Sequence, residues 1–253
     1  MDLLSELREY VKGTEKAAVA YSGGFDSTLL LKLMTDILGD KCIGVFVDSP
    51  LLSQRQRSAA ESIASEIGAR VVHVRAEGNM KNVFENDPER CYFCKTIIYG
   101  KVREVASSLG IDVCMDGENS DDPEDERPGR RAAKEFGMKS PFRELGIGKL
   151  TIREAVRSLD IKETIVKDTC MATRIPFGTA FSEMDLRFIE NCEDMIRQIS
   201  GVSQVRMRIS SDKATILTAP DEIRKLIDSR DILFRELRNM SLEPVIDMDG
   251  YTG

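Results

Sequence analysis

Short apolar segments alternate with segments of helical spacing through the first half of the chain. The helical segments repeat apolar residues at every third or fourth position, as an amphipathic helix does. Strands that alternate with helices predict an α/β fold, with a parallel sheet covered by helices on both faces. The predicted strands are KAAVAYSGG (16–24), KCIGVFVDSP (41–50), RVVHVRAE (70–77) and IDVCMDG (111–117), and the helices after the first three are DSTLLLKLMTDILGD (26–40), SQRQRSAAESIASEIGA (53–69) with Ser53 as its N-cap, and TIIYGKVREVASSLG (96–110).

The pattern changes in the last third of the chain. The segment KDTCMATRIPFG (167–178) has no hydrophobic period and contains Pro176 and Gly178, so it is predicted to be a loop at a domain boundary. A small α+β domain is expected after it, and the predicted domains are residues 1–175 and 176–253. Its predicted elements are a helix (182–200), two strands (203–210 and 213–219), a helix (221–240) and a last strand (243–251).

Composition narrows the class of protein. Of 253 residues, 42% are hydrophobic and 31% are charged, as in an ordinary globular chain, and the net charge is −7. This acidic balance argues against a dedicated nucleic-acid-binding protein. The beginning of the chain, MDLLSELREYVKG, predicts an amphipathic helix rather than a signal peptide, and no apolar run has membrane-spanning length, so we expect a cytoplasmic protein. Its six cysteines are then expected to be reduced.

The loop AYSGGFDST between the first strand and the first long helix has the features of a phosphate-binding loop. Gly23 and Gly24 let backbone N–H groups approach an anion closely, and the following helix presents its positive end. Ser22, Ser27 and Thr28 add hydroxyl donors. Asp26 would repel a bare phosphate, so we expect it to bind Mg²⁺ that accompanies the phosphates.

This loop resembles that of the PP-loop ATP pyrophosphatase superfamily, which has a Rossmann-like sheet of the adenine nucleotide alpha hydrolase type. The resemblance implies that ATP is a cofactor and that its phosphates face Ser22, Gly23, Gly24, Asp26 and Ser27. It also implies that the adenine lies along the backbone near Val47, in VFVDS.

Further motifs resemble the LarE family of sulfur transferases over nearly the whole chain. They are GENSDD (117–122), RPGRR (127–131), CMATRIPFG (170–178) and VRMRIS (205–210). The resemblance implies a PP-loop enzyme that adenylates a carboxylate of a pyridinium-3,5-biscarboxylic acid mononucleotide and then inserts sulfur, in assembly of a nickel-pincer cofactor. It places Gly117 beside the nucleotide and makes Asp122 a second candidate for Mg²⁺, although Asp121 and Asp122 could equally cap a helix.

Two groups in the later motifs are candidates for the sulfur step. Cys170 is the predicted catalytic cysteine, since the nearby cations Lys167 and Arg174 would favour its thiolate. Arg206 and Arg208 lie two residues apart on a predicted strand and therefore share a face. The resemblance implies that this pair binds the phosphate of the substrate.

Cys91 and Cys94, in RCYFCK, depart from the family members that have only the cysteine matching Cys170. With Cys170 they offer three thiols, one fewer than a structural zinc site needs. Three thiolates could hold a 4Fe–4S cluster whose fourth iron lacks a protein ligand. That iron could carry sulfide, which would let the enzyme work repeatedly. Cys42 and Cys114 are expected in the core.

Two alternatives remain open from the residues. A tRNA-thiolating PP-loop enzyme would use a similar cluster, although the acidic charge argues against nucleic acid as a partner. A non-catalytic sensor of ATP or iron–sulfur status would bind the same ligands without releasing pyrophosphate. We also expect no membrane partner. The resemblance alone implies a homo-oligomer. The sulfide donor is unknown.

Overall fold

The computed structural model describes residues 3–78, 80–122, 128–159, 161, 165 and 169–251. The chain divides into two compact units, the first within 1–83 and 89–166, the second within 84–88 and 167–253. Residues 169–175, and Cys170 with them, therefore group with the second unit, although the sequence pattern predicted a boundary after residue 175. The segment 84–88 joins the second unit because the Asn86 side chain donates to the carbonyls of Pro176 (2.8 Å) and Thr179 (2.9 Å).

The first unit is built on a parallel four-stranded sheet, which confirms the predicted α/β fold. Its order is β3-β2-β1-β4, so β1 lies in the interior of the sheet and pairs with both β2 and β4. Ala17 faces Cys42 in one neighbour and Val113 in the other. The strands are β1 (Ala17–Tyr21), β2 (Cys42–Asp48), β3 (Val71–Arg75) and β4 (Val113–Met115).

Helices cover both faces of this sheet. One face packs against Leu30 and Met34, and the other against Val102 and Ala106. Ser53 caps its helix as predicted: its hydroxyl accepts from the Gln56 N–H, and the Gln56 side chain accepts from the Ser53 N–H. The helices of this part of the chain are α1 (Leu3–Tyr10), α2 (Phe25–Leu38), α3 (Gln54–Glu66), α4 (Lys81–Phe84), α5 (Arg90–Ser108), α6 (Pro128–Glu135), α7 (Pro141–Glu144) and α8 (Lys149–Arg157).

The helix that follows the Cys91–Cys94 pair begins earlier than predicted. The expected start was Thr96, whereas α5 begins at Arg90, so both cysteines lie in its first two turns. The Tyr92 and Phe93 N–H groups both donate to the Glu89 carbonyl, which closes the first turn. Cysteine and aromatic residues have only moderate helix propensity, so no residue near Arg90 marks the start of the helix clearly.

Among its described residues, the second unit combines a three-stranded sheet with three α-helices. The sheet order is β5-β6-β7, with β5 antiparallel and β7 parallel to β6. The single helix predicted over 221–240 was wrong: it is two helices separated at Ser229, whose φ and ψ of −99° and 1° leave the helical region. The elements are α9 (Glu183–Ser200), β5 (Val205–Ser210), β6 (Lys213–Thr218), α10 (Ile223–Asp228), α11 (Arg230–Asn239) and β7 (Glu243–Ile246).

Within the described ranges, no helix is both long enough and apolar enough to span a lipid bilayer.

Candidate functional site

The loop between β1 and α2 has a backbone that requires glycine. Gly23 has a φ of +75°, in the left-handed region, and a Cβ added there would lie 2.6 Å from the Ala60 Cβ. Gly24 is extended and stands as the N-cap of α2. The first glycine is therefore fixed by the close approach of α3, and the loop is held between two helices.

Two serine hydroxyls close this loop on itself. The Ser22 and Ser27 Oγ atoms are 3.1 Å apart, and the Ser27 hydroxyl donates to the Gly24 carbonyl (3.2 Å). Ser22 is exposed, whereas the Thr28 side chain is wholly buried. An anion at the loop would contact the Ser22 hydroxyl and the N–H groups at the start of α2. Because the Thr28 side chain is buried, it does not serve as the expected donor.

Asp26 lies on the side of the loop that faces the end of β4. The Asn119 amide approaches its carboxylate at 3.4 Å. Gly117 is packed so tightly that a Cβ would lie 2.9 Å from the Asp26 carbonyl carbon and the Ser27 nitrogen. Burial raises the pKa of Asp26, and the nearby Asp122 carboxylate raises it further. A cation here would relieve both effects.

Asp121 and Asp122 bind different groups of the same residue, Lys149. The Asp121 carboxylate accepts from the Lys149 N–H (2.6 Å), at the start of α8, so it caps that helix. The Asp122 carboxylate pairs with the Lys149 ammonium at 3.0 Å. Of the two readings of Asp121, helix cap or Mg²⁺ ligand, the geometry supports the cap.

The part of the chain that the structure describes contains no group of three or more His, Cys, Asp or Glu side chains arranged to hold a metal ion. Mg²⁺ bound with ATP needs fewer protein ligands, because the phosphates and water supply most of its oxygens. Asp26, with Asp122 near it, fits that smaller requirement.

Arginines surround Glu118, the residue after Gly117. Arg130 lies 3.7 Å and Arg143 3.9 Å from the same carboxylate oxygen of Glu118. Burial raises the pKa of Glu118, and the two guanidinium groups oppose that shift. Arg130 therefore pairs with an acidic residue. Arg127, in the same motif, lies outside the described residues.

Val47 is buried at the end of β2, beside Val74 of β3. The next residue, Asp48, binds Arg57 of α3 at 2.6 Å. Because β1 and β2 are parallel neighbours, the ends of both strands open at the same edge of the sheet. The backbone near Val47 therefore lies at the edge of the sheet that carries the loop.

The turn that carries Cys91 and Cys94 is held against α6. Arg131 forms an ion pair with Glu89 and lies 3.8 Å above the Tyr92 ring, and the Tyr92 hydroxyl donates to Glu135 (2.8 Å). Cys91 is exposed and Cys94 is partly buried. Arg131, from the motif RPGRR, thus helps to hold the start of α5 against α6.

A buried polar chain links this same helix to the end of β4. The Lys95 ammonium donates to the Tyr99 hydroxyl (3.1 Å), which donates to Asp116 (2.7 Å). Asp116 also accepts from the Ser140 hydroxyl (2.7 Å). Burial by itself would lower the pKa of Lys95, but Tyr99 and Asp116 raise it above the ordinary value. In the sequence, only the position of Asp116 directly after a predicted strand indicated this series of buried hydrogen bonds.

Cys170 precedes a short 3-10 helix, Met171–Arg174, in the second unit. The Arg174 guanidinium is fully buried against Glu193, with Nε 3.0 Å from Oε1. It also donates to the Thr169 carbonyl (3.0 Å), so it anchors the segment that carries Cys170. Lys167 lies outside the described residues.

Glu193 also connects this segment to the strand of the arginine pair. Its Oε1 accepts from the Met207 N–H at 2.9 Å, and Met207 lies between Arg206 and Arg208 on β5. Met207 is buried on one face, which leaves the two arginines on the other. Arg208 is exposed, whereas Arg206 is buried with its guanidinium carbon 3.5 Å from the centre of the Tyr251 ring.

The remaining cysteines are core residues. All six cysteines are thiols rather than disulfides, and Cys42, Cys114 and Cys192 are buried. Burial raises the pKa of Cys42 to about 12 and that of Cys192 to about 11. This confirms the expectation for Cys42 and Cys114.

Comparison with known proteins places the chain in a family. No protein-family model matches it. An uncharacterized protein of Synechocystis sp. is 32% identical over 98% of this chain and 94% of its own length. Another, of Methanocaldococcus jannaschii, is 32% identical over 96% and 92%. The pyridinium-3,5-bisthiocarboxylic acid mononucleotide synthase of Lactiplantibacillus plantarum is 29% identical over 95% and 88%. The chain belongs to the LarE family.

A second group of relatives matches a shorter part of this LarE family member. The GMP synthase of Photobacterium profundum is 34% identical over 91 residues, which is 35% of this chain and 17% of that enzyme. The relatives thus include synthases of two kinds. The shorter match agrees with the parallel sheet of the first unit.

Proposed function

We propose that this protein is an ATP-dependent sulfurtransferase that converts a carboxylate of a pyridinium-3,5-biscarboxylic acid mononucleotide into a thiocarboxylate, in assembly of a nickel-pincer cofactor. The Lactiplantibacillus plantarum relative, named for the thiolated product, supports the substrate. The GMP synthase relatives and the loop after β1 support the use of ATP.

The reaction has two steps. A carboxylate oxygen of the substrate attacks the α-phosphorus of ATP, the bond from that phosphorus to the bridging oxygen breaks, and pyrophosphate leaves with the electron pair. A sulfide equivalent then attacks the carbonyl carbon of the acyl adenylate. The carbon–oxygen bond to AMP breaks, and the product is a thiocarboxylate. Adenylation is needed because a carboxylate oxygen is a poor leaving group, whereas AMP is a good one.

The first unit supplies the groups for the adenylation step. The N–H groups at the start of α2 and the exposed Ser22 hydroxyl would bind phosphate oxygens. Asp26 would bind Mg²⁺ together with the phosphates, and the positive ion would stabilise a carboxylate whose pKa burial otherwise raises. Val47 would present its backbone to the adenine.

One observation carries the proposal for the sulfur step: Glu193 hydrogen-bonds both the Cys170 segment and the arginine strand. Its buried carboxylate accepts from Arg174 (3.0 Å) and from Met207 N–H (2.9 Å). The proposed sulfur-handling cysteine and the proposed phosphate ligands, Arg206 and Arg208, are thereby fixed to one framework within a single unit. A sulfurtransferase with a phosphorylated substrate needs that arrangement.

Cys91, Cys94 and Cys170 would together bind a 4Fe–4S cluster. The support is chemical: three thiols that are partly or fully accessible are the ligand type that such clusters use. When bound through three cysteines, the cluster would leave one iron open to hold the sulfide that is transferred.

The test separates adenylation from sulfur supply. Protein purified without oxygen is assayed for iron and acid-labile sulfide, and for pyrophosphate release that depends on the biscarboxylated mononucleotide. We expect about four irons per chain, their loss in Cys91→Ala and Cys170→Ala, and their retention in the control Cys192→Ala. Cys91→Ala should still release pyrophosphate.

The outcomes are distinct. An absence of substrate-dependent pyrophosphate release would overturn the adenylation proposal. Unchanged iron and repeated turnover in Cys91→Ala would overturn the cluster alone and leave Cys170 as the sulfur carrier.

A further inference from the structure

Arg206 is buried although it shares a face of β5 with the exposed Arg208. Tyr251 lies against it, with its ring centre 3.5 Å from the Arg206 guanidinium carbon. At that distance the ring lies directly against the planar guanidinium, well inside the range of a cation–π interaction. The two groups therefore form a stack.

The backbone fixes Tyr251 at this position. The Asp247 N–H donates to the Ile216 carbonyl (2.9 Å), and the Tyr251 N–H donates to the Thr218 carbonyl (2.7 Å), so the chain after β7 stays bound to β6. Val205 pairs with Thr218 in the adjacent strand, which brings Tyr251 beside Arg206.

Gly250 makes this path possible. It has a φ of +73°, and an added Cβ would lie 2.9 Å from the Thr218 carbonyl oxygen and 3.3 Å from the Pro220 Cα. A larger residue there would displace the segment that ends in Tyr251. The stack is therefore built by several independent features of the backbone.

We propose that Tyr251 is a positioning residue for the substrate phosphate: its ring covers one face of the Arg206 guanidinium and holds its N–H edge for two parallel hydrogen bonds to phosphate oxygens. This inference rests on the proposed function, in which Arg206 and Arg208 bind that phosphate. A phosphate is recognised by the edge of the planar fork, and a covered face leaves that edge as the direction of approach. The stack also restricts the rotamers of the Arg206 side chain before the phosphate binds, so less conformational entropy is lost on binding.

The experiment compares two ligands on a set of variants by isothermal titration without ATP. The probes are the pyridinium-3,5-biscarboxylic acid mononucleotide and its nucleoside, which lacks the phosphate. We expect Tyr251→Ala and Tyr251→Leu to weaken mononucleotide binding by about fivefold to thirtyfold. Tyr251→Phe, which keeps the ring, should bind as the wild type does, and no Tyr251 variant should change nucleoside binding.

A matched control comes from another arginine–aromatic pair in the same unit. The Arg238 guanidinium carbon lies 5.6 Å from the centre of the Phe234 ring on α11. Phe234→Ala removes a similar pair far from β5 in the sequence and should leave the affinity for both probes unchanged. Thermal unfolding of each variant, followed by circular dichroism, identifies any loss of affinity caused by unfolding.

Arg206→Lys distinguishes a failure of the positioning role of Tyr251 from a failure of the proposed phosphate site. If this variant weakens mononucleotide binding while Tyr251→Ala leaves it unchanged or tightens it, the positioning role is overturned and the phosphate site stands. If Arg206→Lys and Arg206→Gln both leave mononucleotide binding unchanged, the phosphate site itself is overturned.

Discussion

At the scale of single residues, the two glycines after β1 have unlike roles. Gly23 combines a left-handed φ of +75° with a Cβ position 2.6 Å from the Ala60 Cβ, whereas a Cβ on Gly24 would meet only the Ser22 Oγ at 3.5 Å. The sequence motif shows two adjacent glycines, and their different roles follow only from the packing of α3 against Gly23. Sequence alone could name both but could not rank them.

Gly23→Ala should therefore destabilise the protein far more than Gly24→Ala. We expect the first to lower the free energy of unfolding by about 2–4 kcal/mol, from the left-handed backbone and the overpacking against α3. Gly24→Ala should cost about 1 kcal/mol or less, as a weaker N-cap does. Urea denaturation of both variants measures the difference, and equal midpoints would contradict it.

The buried Arg174–Glu193 pair supports the segment that carries Cys170. Glu193→Gln and Arg174→Met each leave a buried charge without its main partner, so each should lower the free energy of unfolding by about 3–5 kcal/mol. The double variant should be clearly more stable than the sum of the single losses predicts. A double-mutant cycle by urea unfolding measures this, and simple additivity would show that the pair does not couple.

At the scale of elements, local patterns predicted the order and type of most helices and strands. The four strands of the first sheet and the Ser53 cap are set by residues near one another in sequence, so they could be predicted. The start of α5 and the break at Ser229 could not, because neither position carries a strong start or stop residue. Glu193 was also missed, since its partners Arg174 and Met207 lie on two other elements, 19 and 14 residues away.

The bond between Tyr99 and Asp116 joins α5 to the end of β4. Tyr99→Phe removes a donor to a buried carboxylate that keeps its bond from Ser140, and should lower the free energy of unfolding by about 1–3 kcal/mol. Tyr92→Phe is the matched control on the same helix, because its hydroxyl bonds Glu135 at an exposed position. Chemical denaturation should show a smaller loss for the control, and equal losses would mean that the link contributes no more than a surface bond.

At the scale of the whole molecule, each unit contains a carboxyl group with a shifted pKa, and the two shifts are opposite. Burial raises the pKa of Asp26 in the first unit. In the second unit, burial alone would raise the pKa of Glu222, but its bonds from Lys225 and Ser203 lower it to about 2. The two groups should therefore change stability with pH in opposite directions.

Glu222 contributes stability that is present above its ordinary pKa of 4.5 and is lost as the pH falls toward about 2. Asp26 behaves in reverse: its folded pKa lies above 3.8, so it lowers stability as the pH rises through that folded pKa and its carboxylate forms. Asp26→Asn should thus raise the thermal midpoint at pH 7 without ligand, while it removes substrate-dependent pyrophosphate release. Glu222→Gln should lower the midpoint at pH 7 and flatten its fall in acid. Scanning calorimetry at several pH values tests both, and a lower midpoint at pH 7 in Asp26→Asn would show that this carboxylate stabilises the fold instead of being held there for the nucleotide.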